Sequence, residues 1–217
     1  MAEGTSLLRK HMGLNLYREF ESHHLRQNEK KWTPLPVSIF FGLCQGAMGV
    51  NQANKATAGG SMFPVFHQLT ADDVDTLEAL NTLFGVAFSD PDSYLRKRPG
   101  NAYLRSLLAG DTFIALVARE GADVIGGLAA YELKKFEQQR SEIYIYDLAV
   151  AATHRRRGIA TALIERLKVI AAARGAYAIF VQADTGDEDA PAIALYDKVG
   201  VRESVLHFDI PVHPTKY

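Results

Sequence analysis

Asp147-Leu148-Ala149-Val150-Ala151-Ala152-Thr153-His154-Arg155-Arg156-Arg157-Gly158-Ile159-Ala160-Thr161 runs from an apolar strand, through a short basic loop, into the start of a helix. Upstream, Ile143, Ile145, Leu148 and Val150, interspersed with Tyr144 and Tyr146, are aliphatic and aromatic residues suited to a strand. Downstream, Ile159, Leu163, Ile164, Leu167 and Ile170 recur at helical spacing on one face. The first backbone N–H groups of a helix have no internal partner, and the macrodipole places about half a positive charge there, so an anion is favoured. Gly158 has no Cβ to hold a phosphate away, and the three arginines add charge-assisted hydrogen bonds. The stretch therefore reads as a pyrophosphate cradle built from Arg155, Arg156, Arg157, Gly158, Ile159, Ala160 and Thr161, with a solvated basic turn as the alternative. It is not the Gly-rich dinucleotide fingerprint, and it lacks the Gly-Lys-Ser/Thr of a P-loop, which disfavours a nucleotide hydrolase.

Composition limits the rest. With 217 residues, 47% of them hydrophobic, the chain is long enough for one substantial core. A net charge of −1 argues against a nucleic-acid binder. Residues 1–61 carry seven Lys/Arg and four Asp/Glu, which leaves 17 basic against 21 acidic residues in the remainder. The part bearing the cradle is thus mildly acidic and suits a cationic small substrate. A single cysteine, Cys44, excludes an internal disulfide framework and a multi-cysteine metal site, and it points to a reducing cytoplasm. His67, His154, His207 and His213 show no metal spacing, so no metal is expected. The most apolar run, Val37 to Val50, is interrupted by Ser38, Gly42, Gln45, Gly46 and Gly49 and falls short of the ~18 residues of a membrane span.

Along the chain, Leu7 to Glu29 can form one polar helix, and Asn51 to Ser61, with Gly59-Gly60-Ser61, reads as a linker. The expected organisation is an N-terminal extension over 1–61, to which nothing assigns a role, and a folded domain over 62–217. Phe63 to Leu69 is a plausible first strand. Thr70 is a natural N-cap for a helix whose apolar face is Val74, Leu77, Leu80, Leu83 and Phe84. A shorter helix over Asn101 to Leu108 and strands over Thr112 to Arg119, Asp123 to Phe136 and Ser141 to Val150 follow. The helix from Gly158 ends near Gly175, ahead of a strand over Tyr177 to Ala183. Pro191 fits the first turn of a last helix that Gly200 ends, before a final strand over Arg202 to Ile210. This order predicts a three-layer α/β domain.

The spacing from Arg155 through Gly158 to Ala160 resembles the acetyl-CoA signature of the Gcn5-related N-acetyltransferase superfamily, Gln/Arg-x-x-Gly-x-Gly/Ala. Ala192-Ile193-Ala194-Leu195-Tyr196-Asp197-Lys198-Val199-Gly200 matches its second signature, Ala-x-x-Leu-Tyr-x-x-x-Gly. The usual asparagine three residues before that alanine is Asp189 here. More narrowly, Phe113 to Leu116, Lys135 to Gln138, Arg140 to Val150, Gly158 to Ile164, Val181 to Asp184 and His207 to Ile210 resemble the aminoglycoside 3-N-acetyltransferases of the gentamicin and fortimicin resistance type. That likeness spans Met62 to about Ile210, and the loop from Asp184 to Asp189 is about one residue longer than the family pattern.

The resemblance implies a central mixed, twisted sheet flanked by helices, acetyl-CoA as cosubstrate, an aminoglycoside acceptor and a ternary complex without an acetylated enzyme. It also implies that the backbone of Leu148, Ala149 and Val150 pairs with the pantetheine arm, and that Tyr196 lies near the coenzyme sulfur and protonates the departing thiolate. It allows a homodimer. From the residues themselves, Asp147, at the end of the strand entering the cradle, is the candidate for receiving the amine proton or anchoring the cationic amine. Glu142, Asp184, Asp187 and Asp209 place carboxylates where they can steer a polycation, and Tyr144 is a candidate wall of the acceptor site. Tyr144 and Tyr146 alternate with apolar neighbours and are expected on a different face of the sheet from Ile143 and Ile145. Two other readings stay open: a polyamine or protein-lysine acetyltransferase using the same coenzyme site, and a non-catalytic acyl-CoA-binding sensor.

Overall fold

The strands lie side by side in the order in which the chain makes them, β1 (Val65–Gln68), β2 (Phe113–Glu120), β3 (Asp123–Lys134), β4 (Ser141–Val150) and β5 (Ala176–Val181). The computed structural model describes residues 63–208, 210 and 212. The polar helix and linker expected before Met62, the apolar run Val37 to Val50 and Asp209 lie outside the described residues. β1 to β4 are antiparallel neighbours, and β5 joins β4 in parallel, which makes the sheet mixed. The parallel connection is the helix α3 (Ile159–Ala173), as a crossover requires.

Helices cover both faces. In β2, Ile114, Leu116 and Ala118 turn to the side of α3, where Leu163 and Leu167 are fully buried. The alternate residues Phe113, Ala115 and Val117 turn to α1 (Val74–Ala87) and α2 (Asn101–Ala109), meeting Leu77, Leu80, Phe84 and Leu104. Burial on two faces explains why β2 is a continuous apolar run rather than an alternating one. Each buried Val, Leu, Ile or Phe among them contributes roughly 1.5–3 kcal/mol. Gly127 in β3 lets α1 approach, since a Cβ there would stand 2.5 Å from the Leu80 Cδ1 and 2.6 Å from the Leu116 carbonyl oxygen.

Two expectations need correction. Thr70 does not cap α1, because residues 70–73 form a turn in which the Asp73 N–H donates to the Thr70 carbonyl at 2.9 Å. The Asp73 carboxylate then takes the Thr70 N–H at 2.9 Å and its hydroxyl at 2.8 Å, and the helix starts at Val74. The strand expected from Arg202 onward is also absent, and residues 201–208 have no regular structure. A strand exists only where a neighbour accepts its ladder. This segment pairs with none of the described strands, and Leu206 and Phe208 are exposed. The last helix, α4 (Ala190–Val199), carries Pro191 in its first turn as expected.

Candidate active site

β4 changes its pairing along its length, and that change makes the site. On one edge it pairs with β3 throughout, from Ser141 opposite Lys134 to Val150 opposite Gly126. On the other edge β5 accompanies it only from Ser141 to Ile145, which lies opposite Val181. From Tyr146 onward no described strand adjoins that edge, so Leu148, Ala149 and Val150 face a gap where an extended chain can add.

Tyr146 is an extra residue in the ladder. Ala129 lies opposite Asp147 while Ala130 lies opposite Ile145, so Tyr146 bulges and the side-chain parity reverses across it. Ile143, Ile145, Leu148 and Val150 thereby all pack toward α3, and Ala149 packs on the α1 side. Without the bulge, Asp147 would share the parity of Ile145 and point into the α3 core. With it, Asp147 meets Tyr94, whose hydroxyl donates to Asp147 Oδ1 at 2.9 Å. Burial is the larger influence on Asp147, outweighing that hydrogen bond and raising its pKa to about 6. Tyr94 is itself pushed well above the usual phenol value, first by burial and then by the Asp147 charge.

The loop after β4 leads to the start of α3. Arg156 (φ 64°) and Gly158 (φ 79°) both adopt left-handed backbone, and Gly158 is the N-cap residue without any side-chain cap. Nothing lies within 4 Å of where a Gly158 Cβ would be. An uncapped helix N-terminus behind a glycine in open space fits a pyrophosphate. Ile159, 2% exposed, anchors the helix start in the core. The arginines divide the work. Arg155 donates through Nε to the Val150 carbonyl at 3.2 Å, and Arg157 pairs with Glu120 at 2.9 Å, which His154 also reaches at 3.2 Å. Arg156, exposed like its two neighbours, forms neither a hydrogen bond nor an ion pair among the described residues.

Tyr196, on α4, is half-buried against the α3-side core. Its pKa rises to about 12, chiefly by burial and then by the charges of Asp189 and Asp147. Its phenol thus lies within electrostatic reach of both carboxylates. Tyr144 stacks on Phe180 at 4.9 Å and meets Tyr146 edge-on at 6.0 Å, and Tyr146 meets Tyr131 edge-on at 5.8 Å. A row of rings therefore runs across the sheet beside Asp147.

Residues 75–201, more than half of the chain, match the Acetyltransferase (GNAT) family. The chain belongs to that family. It is an acetyl-CoA-dependent N-acetyltransferase, and acetyl-CoA is the acetyl donor of the family. Among solved structures it is similar to an aminoglycoside acetyltransferase from an uncultured soil metagenomic sample, at 66% identity and a TM-score of 0.69 over 70% of this chain and 100% of that one. A second soil-metagenome aminoglycoside acetyltransferase, crystallised with sisomicin, is similar at 28% identity and a TM-score of 0.64 over 70% of this chain and 97% of that one. The ribosomal-protein-alanine N-acetyltransferase of Brucella melitensis biovar Abortus 2308 shares the fold at 23% identity and a TM-score of 0.55, over 69% of this chain and 99% of that one. No curated protein matches.

Within this acetyltransferase, the structure brings Tyr144, Asp147 and Tyr196 together beside the open edge at Leu148 to Val150. Asp184 and Asp187 are exposed on the loop whose Asp189 reaches Tyr196 electrostatically, and the Asp189 carboxylate takes the Asp184 N–H at 3.1 Å. Glu142 does not belong with them. It is 5% exposed, accepts a hydrogen bond from Tyr177, sits 3.8 Å from Lys135 Nζ and lies five residues before Asp147, about 16 Å along the strand. Its acidity serves a buried pair in the lower half of β4 rather than a cation-binding surface. Tyr94 is absent from the sequence expectations. It lies on a single π-helical turn, Asp92–Arg96, whose only prior signal is a tyrosine among polar residues. Among the described residues no group of three or more His, Cys, Asp or Glu side chains is placed to hold a metal, and no helix is long and apolar enough to cross a membrane.

Proposed function

We propose that this enzyme transfers acetyl from acetyl-CoA to the 3-amine of the deoxystreptamine ring in a gentamicin-type aminoglycoside, removing a cationic group the drug needs to bind ribosomal RNA and so conferring resistance. The observation that carries the reading is Asp147: a half-buried carboxylate at the open edge of β4, beside phenols and with a pKa of about 6. The soil-metagenome relatives named for aminoglycosides support the substrate class. The 3-position rests on the likeness of Arg140 to Val150 to the 3-N-acetylating group.

In this reading the pyrophosphate rests on the N-terminus of α3, with Gly158, Ile159, Ala160 and Thr161 supplying backbone and Arg155, Arg156 and Arg157 supplying charge. The pantetheine arm pairs with Leu148, Ala149 and Val150 as an added strand. The acceptor ammonium is held by Asp147, flanked by Tyr144 and steered by Asp184, Asp187 and Asp209. Asp147 takes a proton from the ammonium, the free amine attacks the thioester carbonyl, the C–N bond forms, the C–S bond breaks with coenzyme A leaving as the thiolate, and the second nitrogen proton passes to solvent or to that thiolate. Tyr196 faces the departing sulfur. Its pKa of about 12 lies above the ~8.5 of a thiol, so full proton transfer runs uphill and its main service is a hydrogen bond to developing thiolate charge. Residues 62–217 form the catalytic domain, preceded by the extension 1–61.

Thiol release from acetyl-CoA, measured in parallel with gentamicin, spermidine and a lysine peptide, tests the substrate. Rapid release with gentamicin alone is expected. Release only with spermidine or peptide transfers the function to polyamine or protein acetylation, and coenzyme binding without release from any acceptor identifies a sensor.

A further inference from the structure

We propose that Tyr94 is a positioning residue of the acetyl transfer, holding Oδ1 of Asp147 so that Oδ2 faces the acceptor amine and the carboxylate stays charged to receive its proton. The inference rests on the reading of Asp147 as the group that handles the amine. The phenol comes from a turn far away in sequence, and its hydroxyl donates to Oδ1 at 2.9 Å. Oδ2 has no hydrogen-bond partner among the described residues, so its lone pairs remain available to a reactant. The Tyr94 ring is fixed from behind by α1 and the turn that follows it, edge-on to Phe84 at 6.0 Å and tilted to Phe88 at 5.8 Å. Phe84 is 1% exposed, so this clamp is an extension of the α1-side core. Local backbone permits the turn: the Tyr94 N–H reaches the Asp90 carbonyl at 3.4 Å, and a Cβ on Gly85 would stand only 3.0 Å from the Leu95 Cγ and 3.2 Å from the Tyr94 Cβ.

The electrostatics give the contact its direction. The groups with charge or titration around Asp147 are Tyr94 from the turn, Tyr131 from β3, Tyr146 on its own strand and Tyr196 from α4, with Asp90 acting on Tyr94 and Asp189 on Tyr196. None is a cation. Burial raises the pKa of Asp147, and the Tyr94 hydroxyl is the hydrogen bond that opposes it. Removing that hydroxyl therefore favours the protonated, inactive carboxyl and frees its rotation.

The test compares Y94F and D147N with the wild-type chain in thiol release with acetyl-CoA and gentamicin across pH 5 to 9. Phenylalanine keeps the contacts with Phe84 and Phe88, so the fold and KM for acetyl-CoA are expected to stay unchanged. Loss of one hydrogen bond to a charged group is expected to lower kcat by about ten- to a hundredfold. It should also move the acidic limb of kcat/KM for gentamicin upward by about one pH unit. A merely structural tyrosine would alter Tm and leave that limb in place. Inactive D147N together with a Y94F limb and kcat like the wild type would overturn this inference alone. Wild-type turnover by D147N would overturn the reading of Asp147 and this inference with it.

Discussion

Burial removes water from the Asp147 carboxylate, and one phenol hydrogen bond replaces that water only in part. The result is a carboxylate whose pKa of about 6 lies just below neutrality, where it is mostly ionised yet basic enough for the proposed role of accepting a proton. The same shift costs stability. A carboxyl whose folded value exceeds its unfolded value, ~3.9, binds its proton more tightly in the fold, so stability falls as pH rises from about 4 through 6. Asp147→Asn is isosteric, still accepts from Tyr94 and carries no charge. It should lower kcat by about 10²–10⁴-fold with acetyl-CoA binding intact, as read by steady-state kinetics and calorimetry. The variant should also be more stable than the wild type by about 3 kcal/mol at pH 8 and equal to it below pH 4, as read by urea unfolding at both pH values. Asp147 could be singled out from the sequence because it is a carboxylate near the end of the strand that enters the basic loop. Tyr94 was not, since its role exists only after a turn fifty residues upstream folds onto β4. Glu142 is the opposite case: a carboxylate on the same strand looks alike in sequence, and only tertiary packing sets it beneath Tyr177 and beside Lys135.

At the level of elements, β4 does most to convert pattern into function. The apolar positions Ile143, Ile145, Leu148 and Val150 step by two, three and two, and that irregular step records the bulge at Tyr146. Simple alternation therefore fits Tyr144 but not Asp147, whose exit from the α3-side core depends on the parity change. The strand boundaries of β4 and the start of α3 were readable because strong apolar periodicity and Gly158 marked them. The missing last strand was unreadable in kind, because a strand forms only where a neighbour accepts its ladder and local sequence does not record pairing. β3 supports the site from below, and Gly127 sets how closely α1 approaches it. Gly127→Ala would drive a methyl against the Leu116 carbonyl oxygen, which is backbone and cannot swing aside. The expected loss is about 1–3 kcal/mol of unfolding free energy, read from the urea midpoint at pH 7. A smaller change than 0.5 kcal/mol, roughly the surface-substitution level, would mean that α1 is not seated as described.

On the scale of the whole molecule, the sheet opens halfway along β4, and the proposed coenzyme and acceptor sites both lie at that opening. The described helices and strands from β1 to α4 contain the cradle, the open edge, Asp147 and Tyr196, and 70% of this chain accounts for the whole of its 66%-identical soil-metagenome relative. A chain beginning at Met62 should therefore keep kcat and KM for acetyl-CoA within about twofold of the full-length enzyme, a difference of about 0.4 kcal/mol. Insoluble or inactive protein would assign residues 1–61 to the catalytic unit. The superfamily was legible from two short motifs in register, each tied to backbone geometry that the fold reproduces. From charge alone the acceptor was legible only as a cation, and its aminoglycoside class came from the resemblance, because charge is written in composition while ring positions are written in the shape of the cleft. The measurement that bears most directly on the central claim is NMR of the product formed from acetyl-CoA and gentamicin by the purified enzyme. A single acetamide on the 3-nitrogen of the deoxystreptamine ring is the result expected, and acetylation at another nitrogen, or unmodified drug after extended incubation, would contradict the account.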